Sequence, residues 1–417
     1  MSRTSRPSSW IALLALLLAG PAAAQVQDEQ WDDPTLEAAV EGADLIVVGE
    51  CTGVGPTGAA AYRVQGTLKG PARDGKDVIV DGLVAVGDKT ATVEKGDKAV
   101  LMLVGDPAAD VLAVPTPTFG RFPIIDFGGK PQVVAAFSDT FVRVACPQER
   151  FVRVVQALLK KNGEPLLAEA RAALAAPDAN ELYQGLELLR LFGQPTDEAA
   201  LLAVLRDEKH AGPKRFRVRM VAAEALARCA GMKAVAPLLE LIEKDPVEAV
   251  KSAAATALGP VLRDVAPTDQ RRGCEQLAKL AGQASSIPVD FGAATDPRRN
   301  LRASPLAAIL QTLAFVGSPA GVAPALRALE RVDDVSATLA GLTYFGLLGN
   351  TQHAPAIANR MRTKGAEDEA VNSMFQATLE KLTGQELGTD RDAWIKWCRE
   401  QQLGTGDGQG PPAPPGR

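Results

Sequence analysis

The sequence predicts two domains of different class, a small β-rich domain followed by a stack of helical hairpins. Apolar residues alternate with period two from about residue 44 to residue 144, and they recur at helical spacing from residue 146 to residue 401. An eight-residue phrase that ends in glycine also returns through the helical half. The expected fold class is therefore α + β in separate domains, with a small β-barrel or sandwich first and an α-solenoid second.

Residues 1–24 have the features of a secretory signal peptide. Arg3 and Arg6 precede an apolar run over residues 10–19, and three alanines at 22–24 provide an A-x-A cleavage site. The run is much shorter than the ~20 residues that span a bilayer. We therefore expect an exported protein, periplasmic or secreted, without membrane insertion.

Composition and charge exclude some partners. The chain has 417 residues, of which 46% are hydrophobic and 23% charged, as in an ordinary globular protein. It carries 45 basic and 50 acidic residues, and cleavage would remove two arginines, leaving 43 basic residues and a net charge of about −7. Nucleic acid is therefore not expected as a partner, because its binding depends on basic side chains.

The β-rich domain is expected over residues 31–146. In the segment Tyr62–Lys69, Tyr62, Val64 and Leu68 alternate with polar residues, which is typical of a half-buried strand. Other short β-like runs occur at 45–48, 78–80, 99–104, 111–114, 132–137 and 141–144. Several short strands within about 100 residues indicate a small barrel or sandwich.

The helical domain is expected over residues 147–401. Pro147 reads as a helix start, and apolar residues then recur at helical spacing until Gly163. The recurring phrase ends at Gly193, Gly231, Gly259, Gly317, Gly349 and Gly384, where each glycine is expected to end a helix in the left-handed conformation. The interval from Gly259 to Gly317 is the longest, and we expect its extra residues, 284–304, to leave the stack as a loop. Residues 402–417 are rich in Gly and Pro and are expected to be disordered.

The helical half resembles the HEAT-repeat family. The similarity is clearest over residues 218–258, where an Ala-rich helix, a Gly turn, an Ala-x-Pro-Leu-Leu helix and an Asp-Pro pair follow one another. Arg219 and Lys251 precede Ala-rich stretches as the basic residue of that family does. The resemblance implies an α-solenoid of about six hairpins and a general role in protein binding, because members of the family share a surface architecture and not a chemistry.

The β-rich half resembles the OB-like barrels of netrin-type and metalloproteinase-inhibitor-type modules. The segments that carry this resemblance are 43–50 (ADLIVVGE), 64–70 (VQGTLKG) and 95–104 (KGDKAVLMLV). Inhibitors of that family begin with a metal-chelating Cys, whereas this chain would begin with Gln25 after cleavage. Inhibition through the β domain therefore remains only an alternative.

Five cysteines in an exported chain raise the question of disulfides. Cys51 and Cys146 lie near the first and last predicted strands. Each lies an even number of residues from apolar neighbours in its strand, so both side chains should point inward. We therefore expect a disulfide between them. The cysteines show no C-x-x-C spacing and the chain has two histidines, so we expect no metal and no cofactor.

Several motifs that suggest enzymatic chemistry lack their required context. The G-x-G-x-x-G at residues 53–58 precedes a period-two segment, which favours a glycine-rich strand connection over a dinucleotide site. The two D-F-G tripeptides, at 126–128 and 290–292, lack the other kinase motifs. His210 and His353 lie in polar stretches and are expected to be exposed loop residues. No catalytic residue is therefore predicted.

The candidate partner-binding residues fall in two places. Trp394 and Trp397 lie three residues apart on the last predicted helix and should share a face, where they either pack on the preceding repeat or anchor a partner. Phe291, Arg298 and Arg299 lie in the 284–304 insertion, and aromatic and arginine side chains often anchor interfaces. An acidic protein partner would suit this insertion.

The sequence therefore favours an exported, non-catalytic scaffold that binds another protein. One alternative is a HEAT-scaffolded enzyme or lyase-like protein, and another is an exported inhibitor that acts through the β domain. The insertion and the curved repeat face are alternative binding surfaces.

Overall fold

The computed structural model describes residues 34–56, 58–83, 93–116, 119–134, 146–210, 212, 215–285, 289–290, 301–331, 335–362, 366–401 and 403. Over these residues a mixed β-sheet region is followed by a helical region. The predicted order of a β half and then a helical half is therefore confirmed. The predicted signal peptide and nearly all of the predicted tail lie outside the described residues.

The β region begins with a short helix, α1 (Leu36–Gly42). The hydroxyl of Thr35 caps this helix by accepting the backbone N–H of Ala38. The strands that follow are β1 (Leu45–Val54), β2 (Ala60–Lys69), β3 (Asp77–Asp81), β4 (Lys98–Leu103), β5 (Val111–Ala113), β6 (Arg121–Phe127), β7 (Lys130–Val133) and β8 (Cys146–Pro147).

These strands form an open sheet in the order β5-β3-β2-β1-β4-β6-β7-β8. All neighbouring pairs are antiparallel except β3 and β5, which are parallel. A closed barrel was the wrong expectation, because β6, β7 and β8 continue the sheet beyond β4. At its other end the sheet bends back, since Ala113 of β5 forms an isolated antiparallel bridge with Val104, the residue after β4.

The first half of β1, residues 45–49, and nearly all of β4 are buried on both faces. In β1, Leu45 and Val47 belong to a core enclosed by the bent end of the sheet. Ile46 and Val48, with the opposite parity, belong to a second core that is continuous with the helices. Because both faces are covered there, these parts of the two strands are nearly continuously apolar.

The predicted disulfide between Cys51 and Cys146 is contradicted by the structure. Both residues are buried as free thiols, and they belong to different cores. Cys51 lies on β1 and Cys146 on β8, four strands apart, or about 19 Å at the usual spacing between strands. A disulfide requires Cα atoms within about 7 Å. The alternation of side chains along the strands correctly predicted that both cysteines are buried. It could not show which of the two cores each thiol occupies.

The helical region begins directly after β8. Its helices are α2 (Gln148–Leu159), α3 (Glu164–Ala173), α4 (Ala179–Phe192), α5 (Glu198–Arg206), α6 (Phe216–Cys229), α7 (Val235–Lys244), α8 (Glu248–Asp264), α9 (Pro267–Leu280), α10 (Pro305–Val316), α11 (Val322–Ala328), α12 (Val335–Leu348), α13 (Ala354–Ala358), α14 (Ala366–Thr383) and α15 (Arg391–Glu400).

From α4 onwards the helices form two layers. Helices α4, α6, α8, α10, α12 and α14, here called the inner helices, each contact the next inner helix. Helices α5, α7, α9, α11 and α13, here called the outer helices, pack against one side of that row. The distribution of apolar residues differs between the two layers. The inner helix α6 is buried on almost all sides, whereas the outer helix α7 buries only the stripe Val235, Leu238 and Ile242.

The recurring glycines do not all have the predicted role. Gly317 and Gly384 have φ of 76° and 71°, so the left-handed helix end is confirmed there. Gly193 and Gly349 have no positive φ, but a Cβ at Gly193 would collide with Cys229 Sγ and one at Gly349 with the Phe345 carbonyl. Gly259 lies inside α8. The phrase therefore marks close packing at some hairpins and a left-handed turn at others.

Helix α2 joins the sheet to the helical stack. It packs against β2, β7 and β8, and the ring of Phe151 lies 5.1 Å from that of Phe122 on β6. The sheet and the helices belong to one compact unit, Asp33–Arg417. None of the described helices is long and apolar enough to span a membrane.

Candidate functional site

A concave site lies where the β region meets the helical stack. It is a cleft of about 670 Å³, here called the junction cleft, formed by α1, the end of β2, the α2–α3 turn and the C-terminal ends of α4 and α6. Its lining residues are Glu37, Val40, Glu41, Lys69, Leu158, Leu159, Lys161, Asn162, Gly163, Glu164, Leu167, Leu191, Phe192, Gly193, Gln194 and Arg228.

The α2–α3 turn shapes one wall of this cleft. Helix α2 ends with the N–H of Lys161 donating to the Leu158 carbonyl and that of Asn162 donating to the Ala157 carbonyl, which is a Schellman motif. Lys161 occupies the left-handed position with φ of 51°, where glycine is usual. The turn closes against α4, because a Cβ at Gly163 would collide with the ring of Phe192.

The opposite wall is fixed by contacts of α1. The ammonium group of Lys69 donates to the carbonyls of Val40 and Glu41, at 3.0 and 2.8 Å, and so completes the C-terminus of α1. Behind this wall, Arg190 of α4 pairs with the fully buried Glu187 at 2.8 Å. Burial alone would lower the pKa of Arg190, but the carboxylates of Glu187, Glu224 and Glu37 raise it. This charge cluster links α1 to α4 and α6.

The cleft combines an apolar floor with a charged rim. Its floor is apolar, with Leu158, Leu159 and Phe192 half-buried. Its rim carries charges of both signs, and neither Lys161 nor Arg228 has an ion-pair partner among the described residues. An apolar centre with a charged rim can receive an apolar side chain and pair with polar groups on either side of it.

A second groove, of about 600 Å³, lies in the outer layer between α3 and α5. The ion pair Arg171–Asp197, at 2.7 Å, lies at this groove. Asp207, Lys209 and His210 also line it. Its charged groups are paired with one another, since Lys209 also lies 2.7 Å from Asp207. The groove therefore offers a ligand fewer unpaired charged groups than the junction cleft does.

Both histidines are buried, so their predicted exposure was wrong. His210 is 3% and His353 is 5% exposed. His353 Nδ1 accepts the backbone N–H of Asn350 at 3.1 Å and so caps the following helical turn. Desolvation lowers the pKa of each imidazole. The polar residues around each histidine predicted an exposed loop. They form short helical turns instead, and these turns place the imidazole in the interior.

The tryptophan pair shares a face, as predicted. The rings of Trp394 and Trp397 lie 6.3 Å apart, edge to face. Trp394 is fully buried, and its Nε1 donates to the carbonyl of Gly388 at 2.8 Å. Trp394 therefore packs the last helix and does not present a surface, whereas the half-buried Trp397 remains a candidate contact residue.

The other predicted partner residues, Phe291, Arg298 and Arg299, lie outside the described residues. The base of their insertion is described, and strands β9 (Val289–Asp290) and β10 (Leu301–Arg302) pair antiparallel there. On the α10 side, Ser252 of α8 donates to the carbonyl of Ala303 at 2.8 Å. The insertion therefore has an ordered base on the stack.

The two enzyme-like motifs that the structure describes are strand connections. The described residues 55, 56, 58 and 59 lie between β1 and β2, and the N–H of Gly55 donates to the Ala59 carbonyl across that connection, as expected of a glycine-rich strand connection. At the first D-F-G, Gly128 and Gly129 have positive φ and form the two-residue loop between β6 and β7. In the described ranges no group of three or more His, Cys, Asp or Glu residues could hold a metal ion.

No protein-family model matches this chain, and no curated protein is significantly similar to it in sequence.

Proposed function

We propose that this chain is an exported, non-catalytic scaffold that binds another protein through the junction cleft. The observation that carries the proposal is the cleft itself, an apolar floor with a rim of both charges at the meeting of two structural regions. Sites of this size and position are common binding sites in proteins. Export rests on the signal-peptide pattern of residues 1–24.

The proposal includes a HEAT-like α-solenoid. Its support is the row of inner helices with outer helices on one side. Further support comes from a buried contact between residues that the resemblance singles out. Arg219 precedes an Ala-rich stretch and Asp245 belongs to the Asp-Pro pair, and they form two hydrogen bonds of 2.7 and 2.9 Å.

The proposal also treats the β region as an OB-like module of the partly open kind. Strands β1, β2, β3 and β5 are neighbours in that order, and the Val104–Ala113 bridge brings β5 back to the end of β4. A five-stranded OB fold is a partly open barrel. In this scaffold the module would supply one wall of the cleft through α1 and Lys69 and would do no chemistry.

Affinity capture with a matched pair of variants tests the function. The mature chain is used as bait against the envelope or secreted fraction of the source cells, beside Leu159→Asp in the cleft floor and Met232→Asp at an exposed apolar position outside the cleft. We expect one protein to be captured by the wild-type chain and by Met232→Asp, and at least ~10-fold less of it by Leu159→Asp.

Other results would redirect the assignment. If both variants capture that protein equally well, the cleft is not its binding surface, and the insertion carrying Phe291, Arg298 and Arg299 becomes the next surface to test. If the wild-type chain captures nothing above a bead control, the scaffold proposal fails. Circular dichroism of each variant verifies that its fold is retained.

A further inference from the structure

An excess of negative charge lies beside the junction cleft, between α1, α4 and α6. Glu187 of α4 is 0% exposed, while Glu37 of α1 and Glu224 of α6 are half-buried. Burial lowers the pKa of Arg190, but these three carboxylates surround its guanidinium closely enough to raise that pKa overall. Three carboxylates and one guanidinium give a net charge of −2. We call these four residues the acidic corner, and Glu37 lines the cleft itself.

Two carboxylate oxygens of the acidic corner have no hydrogen-bond donor among the described residues. They are Oε2 of Glu37 and Oε1 of Glu187, and both atoms are buried. Glu187 uses only its other oxygen, which accepts from Nε of Arg190 at 2.8 Å. A buried acceptor without a donor is unfavourable and uncommon in folded proteins. The acidic corner is therefore short of positive charge and of N–H donors at the same place.

The helix ends at the cleft add to this negative potential. Helices α1, α2, α4 and α6 all contribute residues of their last turns to its lining, whereas α3 begins there. A helix C-terminus carries about half a negative charge and exposes carbonyl groups that accept N–H donors. One of these ends already holds an ammonium group, because Lys69 donates to the carbonyls of Val40 and Glu41. The cleft thus contains one example of a lysine bound in this way.

The basic residues of the lining do not cancel this field. The ammonium group of Lys69 is engaged by α1. Lys161 and Arg228 are exposed, so water and salt screen their charges. The carboxylate of Glu187 is buried, and charges act more strongly where the local dielectric constant is low. A group that enters the cleft as far as Glu37 therefore meets a field in which the carboxylates dominate.

We infer that the acidic corner receives a basic side chain, lysine or arginine, of the partner protein. The inference rests on the proposed binding of a protein in the junction cleft and adds the chemistry of the contact residue.

The cleft suits both parts of such a side chain. Its apolar stem would lie against the floor formed by Leu158, Leu159 and Phe192, as the stems of lysine and arginine commonly do on apolar surfaces. Its N–H groups would donate to the carboxylate of Glu37 and to the carbonyl end of α4, and hydrogen bonds between charged groups are the stronger kind. The partner segment should therefore combine a basic residue with an apolar neighbour.

Selection from a random peptide library tests this inference with a defined probe. The immobilised mature chain is exposed to short peptides that carry leucine at one fixed position and are random elsewhere, and the retained peptides are sequenced. Lysine or arginine should be enriched ~10-fold at one position near the leucine. Glu37→Gln keeps the shape of the side chain but removes its charge, and should lose this enrichment. Glu240→Gln, at a carboxylate that is 63% exposed outside the cleft, should keep it.

Two further variants separate the possible outcomes. Glu37→Asp retains the charge and should retain the preference for basic residues, and its circular dichroism and that of Glu37→Gln should match the wild type. Leu159→Asp should retain few peptides of any kind. Peptides retained without a basic preference, or a preference that survives in Glu37→Gln, would overturn the inference and leave the cleft as a binding site. A wild-type chain that retains no peptide above a bead control would also overturn it, while affinity capture decides the proposed function independently.

Discussion

At the scale of single residues, Lys161 is held in a conformation that its side chain disfavours. It is the only residue other than glycine with positive φ among the described residues. A left-handed residue with a Cβ costs about 1–2 kcal/mol, partly offset in a Lys161→Gly variant by the extra backbone entropy of glycine, about 0.5–1 kcal/mol.

We therefore expect Lys161→Gly to increase the free energy of unfolding by roughly 0.5–1 kcal/mol. Lys161→Ala is the matched control, because it removes the long side chain but keeps the Cβ. Urea denaturation of both variants measures the difference. If glycine is no more stabilising than alanine, the left-handed turn is not under strain. If glycine stabilises but weakens capture of the partner, the lysine side chain contributes to binding at the cleft.

The five cysteines give a second prediction at this scale. All five are buried and free, and burial raises the pKa of Cys146 and of Cys229 to about 12. The reactive thiolate is therefore scarce at neutral pH. The native protein should react very slowly with dithionitrobenzoate, and denaturation without reductant should release all five thiols. Detection of only three would mean that one disulfide is present after all.

At the scale of elements, the pair Arg219–Asp245 holds one hairpin to the next. Both side chains are 3% exposed. Arg219 also donates to the carbonyls of His210 and Gly212, and Asp245 accepts the N–H of Val247 at the start of α8. Arg219 of α6 therefore contacts both the connection before α6 and the connection between α7 and α8.

Asp245→Ala should lower the free energy of unfolding by about 3–5 kcal/mol, because it leaves a buried guanidinium without its carboxylate. The exposed pair Lys209–Asp207 provides the comparison, and Asp207→Ala should have little effect, since solvent screens exposed ion pairs. Thermal and chemical denaturation followed at 222 nm measure both. Equal losses from the two variants would show that burial of the Arg219–Asp245 pair is not what makes it important.

Elements with a clear apolar pattern were predicted well, and segments containing Gly or Pro were not. The alternation of Tyr62–Lys69 corresponds to β2, and the amphipathic pattern before Gly163 corresponds to α2. Strand β1 was expected to end at Val48 but runs to Val54, because Gly49 and Gly53 are residues that usually mark the end of a strand pattern. Strand β6 was missed, since its central Pro123 is a residue that usually argues against a strand.

At the scale of the whole molecule, the sheet and the stack are joined through α2. The face of β1 and β4 that carries Ile46, Val48, Val100 and Met102 belongs to the same core as the buried faces of α2, α3 and α4. The change from period two to helical spacing near residue 146 correctly located the end of the sheet. It could not reveal that the first helix after this point packs on the strands.

The junction cleft could not have been found by motif. Its lining residues come from separate segments between Glu37 and Arg228, and no short pattern connects them. The residues that the sequence did single out, such as Trp394 and Trp397, were chosen for side-chain type and local spacing. The sequence did indicate the turn that forms one wall of the cleft, because Gly163 predicts that a helix ends there. The residue in the left-handed conformation is, however, Lys161.

Site-specific photo-crosslinking is the most direct measurement of the central claim, that the junction cleft binds a partner protein. A benzoylphenylalanine placed at position 159 lies in the cleft floor, and the same residue at position 232 lies at an exposed site outside it. On irradiation in the source cells, the probe at position 159 should form one discrete adduct with the protein that the wild-type chain captures. The probe at position 232 should not. An adduct with that protein from position 232 and none from position 159 would contradict the claim.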